Sequence, residues 1–188
     1  MTSRRLLPCS LALLLLLSVH APAAAAGATH AYLLRGIFNV SVGLDTLAQR
    51  LNRMGIATTV AGHGESGSVA AEAIRDYKSG KVRTVILIGH SLGGGAVLSM
   101  ADELNSAGVP VALLIALDSG SSGPVAPNVR RAVNFYVGGA RLAPAPGFRG
   151  SLQNIDVSRT PGMSHMALQS MPMMHQKMIG LVSAARGG

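Results

Sequence analysis

A serine at the centre of a Gly-x-Ser-x-Gly pentapeptide is the residue of this sequence best suited to chemistry. Ser91 lies in Gly89-His90-Ser91-Leu92-Gly93, directly after an apolar run of strand length and directly before a helical pattern. A strand that turns sharply into a helix exposes a serine hydroxyl on a strained bend, and the flanking glycines keep side chains out of that bend. The pattern predicts that Ser91 is a nucleophile. The alternative is a small-residue turn without chemistry.

A serine nucleophile needs a base, and a histidine late in the chain fits this role. His165 lies in a loop after the last predicted strand and before the last predicted helix. It follows the serine in the chain order nucleophile, acid, histidine. Of the other histidines, His30 begins a strand and His90 lies within the pentapeptide beside the nucleophile. His63 lies in a Gly-rich turn, and His175 is predicted to point outward from the last helix. We therefore expect His165 to be the base, with a surface-loop histidine as the alternative.

Two carboxylates could orient this histidine. Asp118 ends the strand that follows the nucleophile helix, and Asp156 ends the last strand, nine positions before His165. Asp118 is the first choice. Asp156 is the alternative acid, although it could instead cap a turn.

The developing oxyanion of an acyl-transfer reaction needs two N–H donors. We expect one from Leu92, the residue after the nucleophile, because an N–H at a helix start has no acceptor within the helix. The other should come from the loop after the first strand, 35–38, where Ile37 is the first choice and Phe38 the second.

The elements that must position these residues alternate between strands and helices. Apolar runs predict six strands, at 30–34, 56–60, 82–88, 111–117, 132–137 and 151–157. Apolar stripes at helical spacing predict helices around 44–54 and 68–77, after Ser91, and from Pro172 onward. Strands that are apolar throughout and alternate with helices indicate a mostly parallel sheet covered on both faces. Because reactive groups gather beyond the carboxyl ends of such strands, the candidate residues should meet at one edge.

The first 26 residues have the pattern of a secretory signal peptide. Arg4 and Arg5 precede an apolar stretch, 11–19, and Ala24–Ala26 supplies a cleavage site. This predicts cleavage after Ala26, a single domain over residues 27–188, and a periplasmic or secreted protein without an integral membrane segment. An uncleaved anchor is the alternative.

Composition narrows the possible partners and cofactors. The formal net charge is +8, but the basic residues are scattered and aromatic residues make up only 3% of the chain, which argues against nucleic-acid binding. The only cysteine, Cys9, lies in the predicted signal peptide. The mature chain would therefore have no disulfide, no thiol nucleophile and no thiolate metal site. The methionines of the last helix are interpreted as core residues, and we expect neither metal nor cofactor.

Taken together, these motifs resemble those of the α/β-hydrolase superfamily, in a minimal secreted form similar to small bacterial lipases, carboxylesterases and thioesterase-like proteins. The resemblance covers roughly residues 30–182. It rests on the pentapeptide around Ser91, the turns 34–36 and 62–64, Asp118, and the segment 162–165. It implies a three-layer fold of about six strands that lacks the first antiparallel strands of the superfamily. Two departures are an acid directly after the strand that follows the nucleophile helix, and Arg35 where many members have histidine.

The resemblance also implies hydrolysis of carboxylic esters or thioesters through an acyl-enzyme. The expected substrate is a small-molecule or lipid-like ester or thioester. Because the chain has no room for a large lid, the pocket should be shallow. A catalytically silent binding or envelope protein on the same scaffold is the alternative, and the sequence does not determine the oligomeric state.

Overall fold

The computed structural model describes residues 28–186, so the predicted signal peptide lies outside the described residues. Six strands form one sheet in the order β2-β1-β3-β4-β6-β8, and every neighbouring pair is parallel. The remaining two strands, β5 and β7, form a separate pair. The strands are β1 Ala28–Arg35, β2 Ala57–Gly62, β3 Val82–His90, β4 Leu113–Leu117, β5 Pro124–Val125, β6 Arg131–Tyr136, β7 Ala143–Pro144 and β8 Ser151–Asp156.

Four α-helices cover the two faces of the sheet. They are α1 Gly43–Arg53, α2 Ser66–Lys78, α3 Leu92–Ser106 and α4 Pro172–Arg186. α2 and α3 share one core cluster with the strands, and α1 and α4 share the other. Successive residues of β3 divide between the clusters, with Leu87 on the first side and Ile88 on the second. This is the period of two that a strand buried on both faces must have, and the predicted three-layer α/β fold is confirmed.

Three details differ from the sequence-based expectations. β4 begins at Leu113, because Val111 makes only an isolated bridge to Val129. The pair β5 and β7 was not expected, since two-residue strands have no periodicity to detect. The prediction that His175 points outward from the last helix is wrong: its side chain is buried, with Nε2 2.9 Å from the Gln169 carbonyl oxygen. This hydrogen bond pairs one of the two ring nitrogens and so reduces the cost of burying the imidazole.

The carboxyl ends of the strands lie together at one edge of the sheet. His90 is in register with Leu117, and Leu117 with Phe135, so the residues that follow β3, β4 and β6 leave the sheet side by side. Outside the main sheet and the four α-helices, residues 28–186 contain only turns, three-residue 3-10 helices and the two short strands. The loops at this edge therefore carry no large lid.

Candidate active site

Ser91 lies on a sharp bend between β3 and α3. Its backbone has φ 58° and ψ −122°, a strained combination for a residue with a side chain. The bend is held by hydrogen bonds from its N–H to the Leu117 carbonyl, at 3.0 Å, and from the Gly94 N–H to its own carbonyl, at 2.9 Å. The backbone of Ser91 is therefore held in a strained bend between strand and helix, the conformation that the pentapeptide predicts.

The two glycines of the pentapeptide are required by close backbone contacts. A Cβ atom on Gly89 would lie 2.1 Å from the Gly93 carbonyl oxygen, and one on Gly93 would lie 2.0 Å from the Leu34 carbonyl oxygen. Real Cβ contacts are never this short. The first turn of α3 can pack against β1 and β3 only because both side chains are absent.

Both carboxylate oxygens of Asp118 accept hydrogen bonds. Oδ1 accepts hydrogen bonds from the backbone N–H groups of Val137, Gly138 and Gly139, at 2.9, 3.2 and 2.7 Å. Oδ2 lies 2.7 Å from Nδ1 of His165. Burial by itself would raise the pKa of Asp118, but the hydrogen bonds from His165 and from the three N–H groups together lower the pKa below its ordinary value. The carboxylate is thus ionised and fixed in orientation.

His165 is half-exposed, in the loop between β8 and α4. Its Nδ1 donates to Asp118, which leaves Nε2 as the acceptor in the neutral ring. His165 and Ser91 line the same cleft, whose volume is about 100 Å³. The topology thus brings together a serine, a histidine and a buried carboxylate whose candidate roles were assigned from sequence.

Asp156, the alternative acid, lies elsewhere. Its carboxylate is exposed, and Oδ1 accepts the Ser158 N–H at 2.9 Å in a local turn at the end of β8. The hydrogen bond with Ser158 lowers the pKa of Asp156. The carboxylate that His165 contacts is that of Asp118.

The turn after β1 packs directly against the serine. A Cβ atom on Gly36 would lie 3.0 Å from Cβ of Ser91, a tight contact that a larger residue could make only if the turn shifted by a few tenths of an ångström. Ile37 follows and lines the cleft, while Phe38, the second choice for the N–H donor, has a positive φ of 52° and a largely exposed side chain. Leu92 begins α3 at the other side of Ser91. Both candidate N–H donors therefore belong to segments that adjoin Ser91.

Arg35, at the position where the resemblance implies histidine, anchors this turn. Its Nε donates to Oδ2 of Asp45 at 3.1 Å, and its Nη2 makes a second short contact with Oδ1. A two-point pair of this kind fixes the direction of the guanidinium as well as its position. Asp45 belongs to the first turn of α1, so the ion pair joins the turn to that helix.

Ser41 and the two adjacent glycines Gly138 and Gly139 have contacts at the site but no role in the sequence-based prediction. Ser41 is fully buried, and its Oγ accepts the Gly36 N–H at 3.0 Å and lies 2.7 Å from Nδ1 of His90. The adjacent pair Gly138 and Gly139 cradles Asp118, and a Cβ on Gly139 would lie 2.6 Å from Oδ1 of that carboxylate. Two glycines directly after a predicted strand are a signal of close backbone approach. Ser41 carries no comparable signal.

Other features of the described chain bear on the class of site. Residues 28–186 contain no cluster of three or more His, Cys, Asp or Glu side chains able to hold a metal ion. In the same range, no helix is both long and apolar enough to cross a bilayer. A larger groove of about 290 Å³ lies between α4 and the strands β6 and β8, next to Phe135 and Lys177. None of the predicted site residues lines it.

Comparisons with known proteins show that the chain is similar to solved structures in fold, without a match to a known family or curated protein in sequence. No protein-family profile matches the chain, and neither does any curated protein sequence. An acetylxylan esterase structure is similar over 86% of this chain and 99% of its own, with a TM-score of 0.54 and 14% identity. The fold is that of α/β-hydrolase-type esterases and thioesterases.

Two further solved structures have a fold similar to that of this chain. A cutinase-like protein from a Cryptococcus species is similar over 87% of this chain and 98% of its own, with a TM-score of 0.53 and 14% identity. Human thioesterase 2 is similar over 84% and 98%, with a TM-score of 0.53 and 10% identity. At these identities the α/β-hydrolase likeness establishes the architecture alone, because unrelated functions share this fold.

Proposed function

We propose that this protein is a serine hydrolase that cleaves carboxylic ester or thioester bonds through an acyl-enzyme. The observation that carries the proposal is the hydrogen bond between buried Asp118 and His165, in the cleft that also contains Ser91 on its strained bend. The solved structures of similar fold include esterases and thioesterases, which supports the same reaction class.

In this proposal each residue has one task. Oγ of Ser91 attacks the substrate carbonyl while Nε2 of His165 accepts the hydroxyl proton. Asp118 holds Nδ1–H and stabilises the imidazolium that forms. The N–H groups of Leu92 and Ile37 stabilise the oxyanion. His165 then gives the proton to the leaving alcohol or thiol, and water activated by the same imidazole hydrolyses the acyl-serine.

The surroundings of the cleft favour a substrate with an apolar part. Five apolar side chains at or beside the cleft are between 42% and 85% exposed, and we call them the apolar rim: Ile37, Phe38, Val40, Leu92 and Met166. Residues 36–44 contain no charged side chain. A cleft of about 100 Å³ cannot enclose a long acyl chain. We therefore propose a lipid-like ester or thioester whose apolar part lies along this rim.

The cellular location is proposed from the sequence alone. Residues 1–26 have the pattern of a signal peptide, so the mature protein would be periplasmic or secreted. The mass of the mature N-terminus tests this, because cleavage after Ala26 and a retained anchor give different values.

Labelling with a fluorophosphonate probe tests the reaction class. The wild-type protein should be labelled and should hydrolyse a short p-nitrophenyl ester, and Ser91→Ala should abolish both. Labelling retained by Ser91→Ala would contradict the assignment of the nucleophile. A wild-type protein that reacts with no fluorophosphonate would favour a silent binding protein on the same scaffold.

A series of ester chain lengths tests the substrate class. Phe38→Ser should raise KM for long-chain esters about threefold to tenfold relative to acetate, since it removes exposed apolar contact area. Met54→Ser is the matched control, because Met54 is 39% exposed at the far end of α1. Equal effects of the two substitutions would contradict binding along the rim.

A further inference from the structure

His90, the residue before the proposed nucleophile, makes two hydrogen bonds from a buried position. Its side chain is 1% exposed. Nε2 lies 2.9 Å from the backbone carbonyl oxygen of His165, and Nδ1 lies 2.7 Å from Oγ of Ser41. The His90 and His165 rings are also in contact, with centroids 4.6 Å apart. A buried histidine thus touches the main chain and the ring of the proposed base.

The chemistry of the partners fixes the direction of each hydrogen bond. A carbonyl oxygen only accepts, so Nε2 of His90 carries the proton. Burial lowers the pKa of His90, outweighing the opposite effect of the His165 carbonyl, so the ring is neutral and Nδ1 is an acceptor. The Ser41 hydroxyl must then donate to Nδ1, while its oxygen accepts the Gly36 N–H at 3.0 Å. Each of the three hydrogen bonds then has one donor and one acceptor, with His90 as a neutral ring.

These three hydrogen bonds run between the two loops that the reaction needs. At one end is Gly36, whose successor Ile37 is the proposed second oxyanion donor. At the other end is His165, the proposed base. His90 itself adjoins Ser91. The three hydrogen bonds therefore link the turn after β1, the bend at Ser91 and the loop of His165. These segments are far apart in sequence, but the reaction requires a fixed geometry between them.

We propose that Ser41 and His90 are positioning residues, which hold the oxyanion turn and the His165 loop in one alignment around Ser91. This proposal rests on the proposed function. It assigns neither residue any contact with substrate. Misplacement of a catalytic group by about 1 Å can cost about 100-fold in rate, so a chain of hydrogen bonds that fixes two such groups has a measurable effect on turnover.

A matched pair of substitutions separates positioning from simple core stability. His90→Phe keeps a buried ring and removes both hydrogen bonds. His175→Phe is the control, because His175 is also 1% exposed and its Nε2 also lies 2.9 Å from a backbone carbonyl, that of Gln169. We expect both variants to lower the melting temperature. Only His90→Phe should lower kcat, by about 10- to 100-fold, with KM changed less than about threefold.

Ser41→Ala tests the middle of the path. It should lower kcat and the rate of fluorophosphonate labelling to a similar extent, with KM again nearly constant. If the bonds act as a unit, the double variant Ser41→Ala/His90→Phe should be no slower than the slower single variant. Full additivity of the two losses in kcat, or equal kcat losses in His90→Phe and His175→Phe, would overturn the proposal.

The ring of His90 gives a readout that does not depend on turnover. Two-bond ¹H–¹⁵N spectra of the wild-type protein should show a neutral ring with its proton on Nε2 at pH 7. A proton on Nδ1 would overturn the proposed direction of the bonds. If the wild-type protein is active and Ser41→Ala has normal turnover, the positioning role is contradicted but the proposed function is not. If no fluorophosphonate labels the wild-type protein, the proposed function is contradicted, and with it any role of Ser41 and His90 in catalysis.

Discussion

The bend at Ser91 and the loop of His165 are held in place by different kinds of interaction. The bend is fixed by backbone contacts within and next to one short segment, where Gly89 and Gly93 have no space for a Cβ atom. The histidine loop is fixed by side-chain hydrogen bonds to distant residues: Asp118 binds its imidazole and His90 binds its carbonyl. At the bend, residue size decides whether the backbones of β1, β3 and α3 can approach one another. Alignment of the loop depends on tertiary contacts that single polar substitutions remove.

The comparison predicts that crowding the bend affects folding itself. Gly93→Val should prevent folding or lower the free energy of unfolding by more than about 4 kcal/mol, because its side chain would overlap the Leu34 backbone. Urea unfolding monitored by circular dichroism measures this.

A glycine in open surroundings is the control for that experiment. Gly180→Ala, in α4, has no atom within 4 Å of the new Cβ and should gain about 0.5–1 kcal/mol in stability. If Gly93→Val folds with near-normal stability, the bend is not held by steric exclusion.

Removing the charge that orients the histidine should abolish most turnover while leaving the fold intact. In Asp118→Asn, the amide oxygen can still accept the three backbone N–H groups, but the amide nitrogen would face Nδ1 of His165 and favour the wrong tautomer. We expect kcat to fall about 10³- to 10⁴-fold. Steady-state kinetics with a p-nitrophenyl ester measures this, and Asp156→Asn, as the control, should retain near wild-type activity.

Loss of the ion pair beside the oxyanion turn should have a smaller effect. Arg35→Met removes the contacts with Asp45 but keeps an unbranched side chain of similar reach. We expect kcat to fall about threefold to tenfold, and the free energy of unfolding to change by less than about 1 kcal/mol because the pair is partly exposed. A change in stability without a change in kcat would show that the pair supports α1 rather than the turn.

As the pH falls, the buried histidines should lower the free energy of unfolding at a higher pH than Asp118 does. Burial lowers the pKa values of His30, His90 and His175 below 6.5, so the unfolded chain binds protons first. Their contribution to stability is complete above pH 6.5 and is lost as the pH falls through each native pKa, with a slope of up to about 1.4 kcal/mol per pH unit per histidine. Around His90 the other titratable groups are His165 and Asp118.

Denaturant titrations between pH 7.5 and 4.5 measure this effect. His175→Phe should reduce the slope of the free energy of unfolding against pH by the contribution of one histidine. Asp118, whose pKa lies below 3.8, contributes stability that is lost only at lower pH. A free energy of unfolding that stays constant from pH 7 to 5 would contradict neutral buried histidines.

Most of the fold could be predicted from the sequence because its signals are local. Apolar strand runs and helical stripes placed six strands and four helices within a few residues of their observed bounds. The outward position predicted for His175 is wrong because the residue shares a face of α4 with Met178 and Val182, three and seven positions later, and this face is buried. Gln169, six positions earlier, supplies the acceptor for its Nε2.

The sequence by itself determined the strand, bend and helix around Ser91, since the pentapeptide glycines, the β-branched run before them and the small residues after them are contiguous. Only the tertiary structure decided which carboxylate meets His165, and that Ser41 and His90 link the two loops. These contacts join residues 47, 49 and 75 positions apart. The physical reason is that strand and helix patterns and residue size can be read from contiguous residues, whereas a hydrogen bond between distant loops depends on the twist and register of the whole sheet.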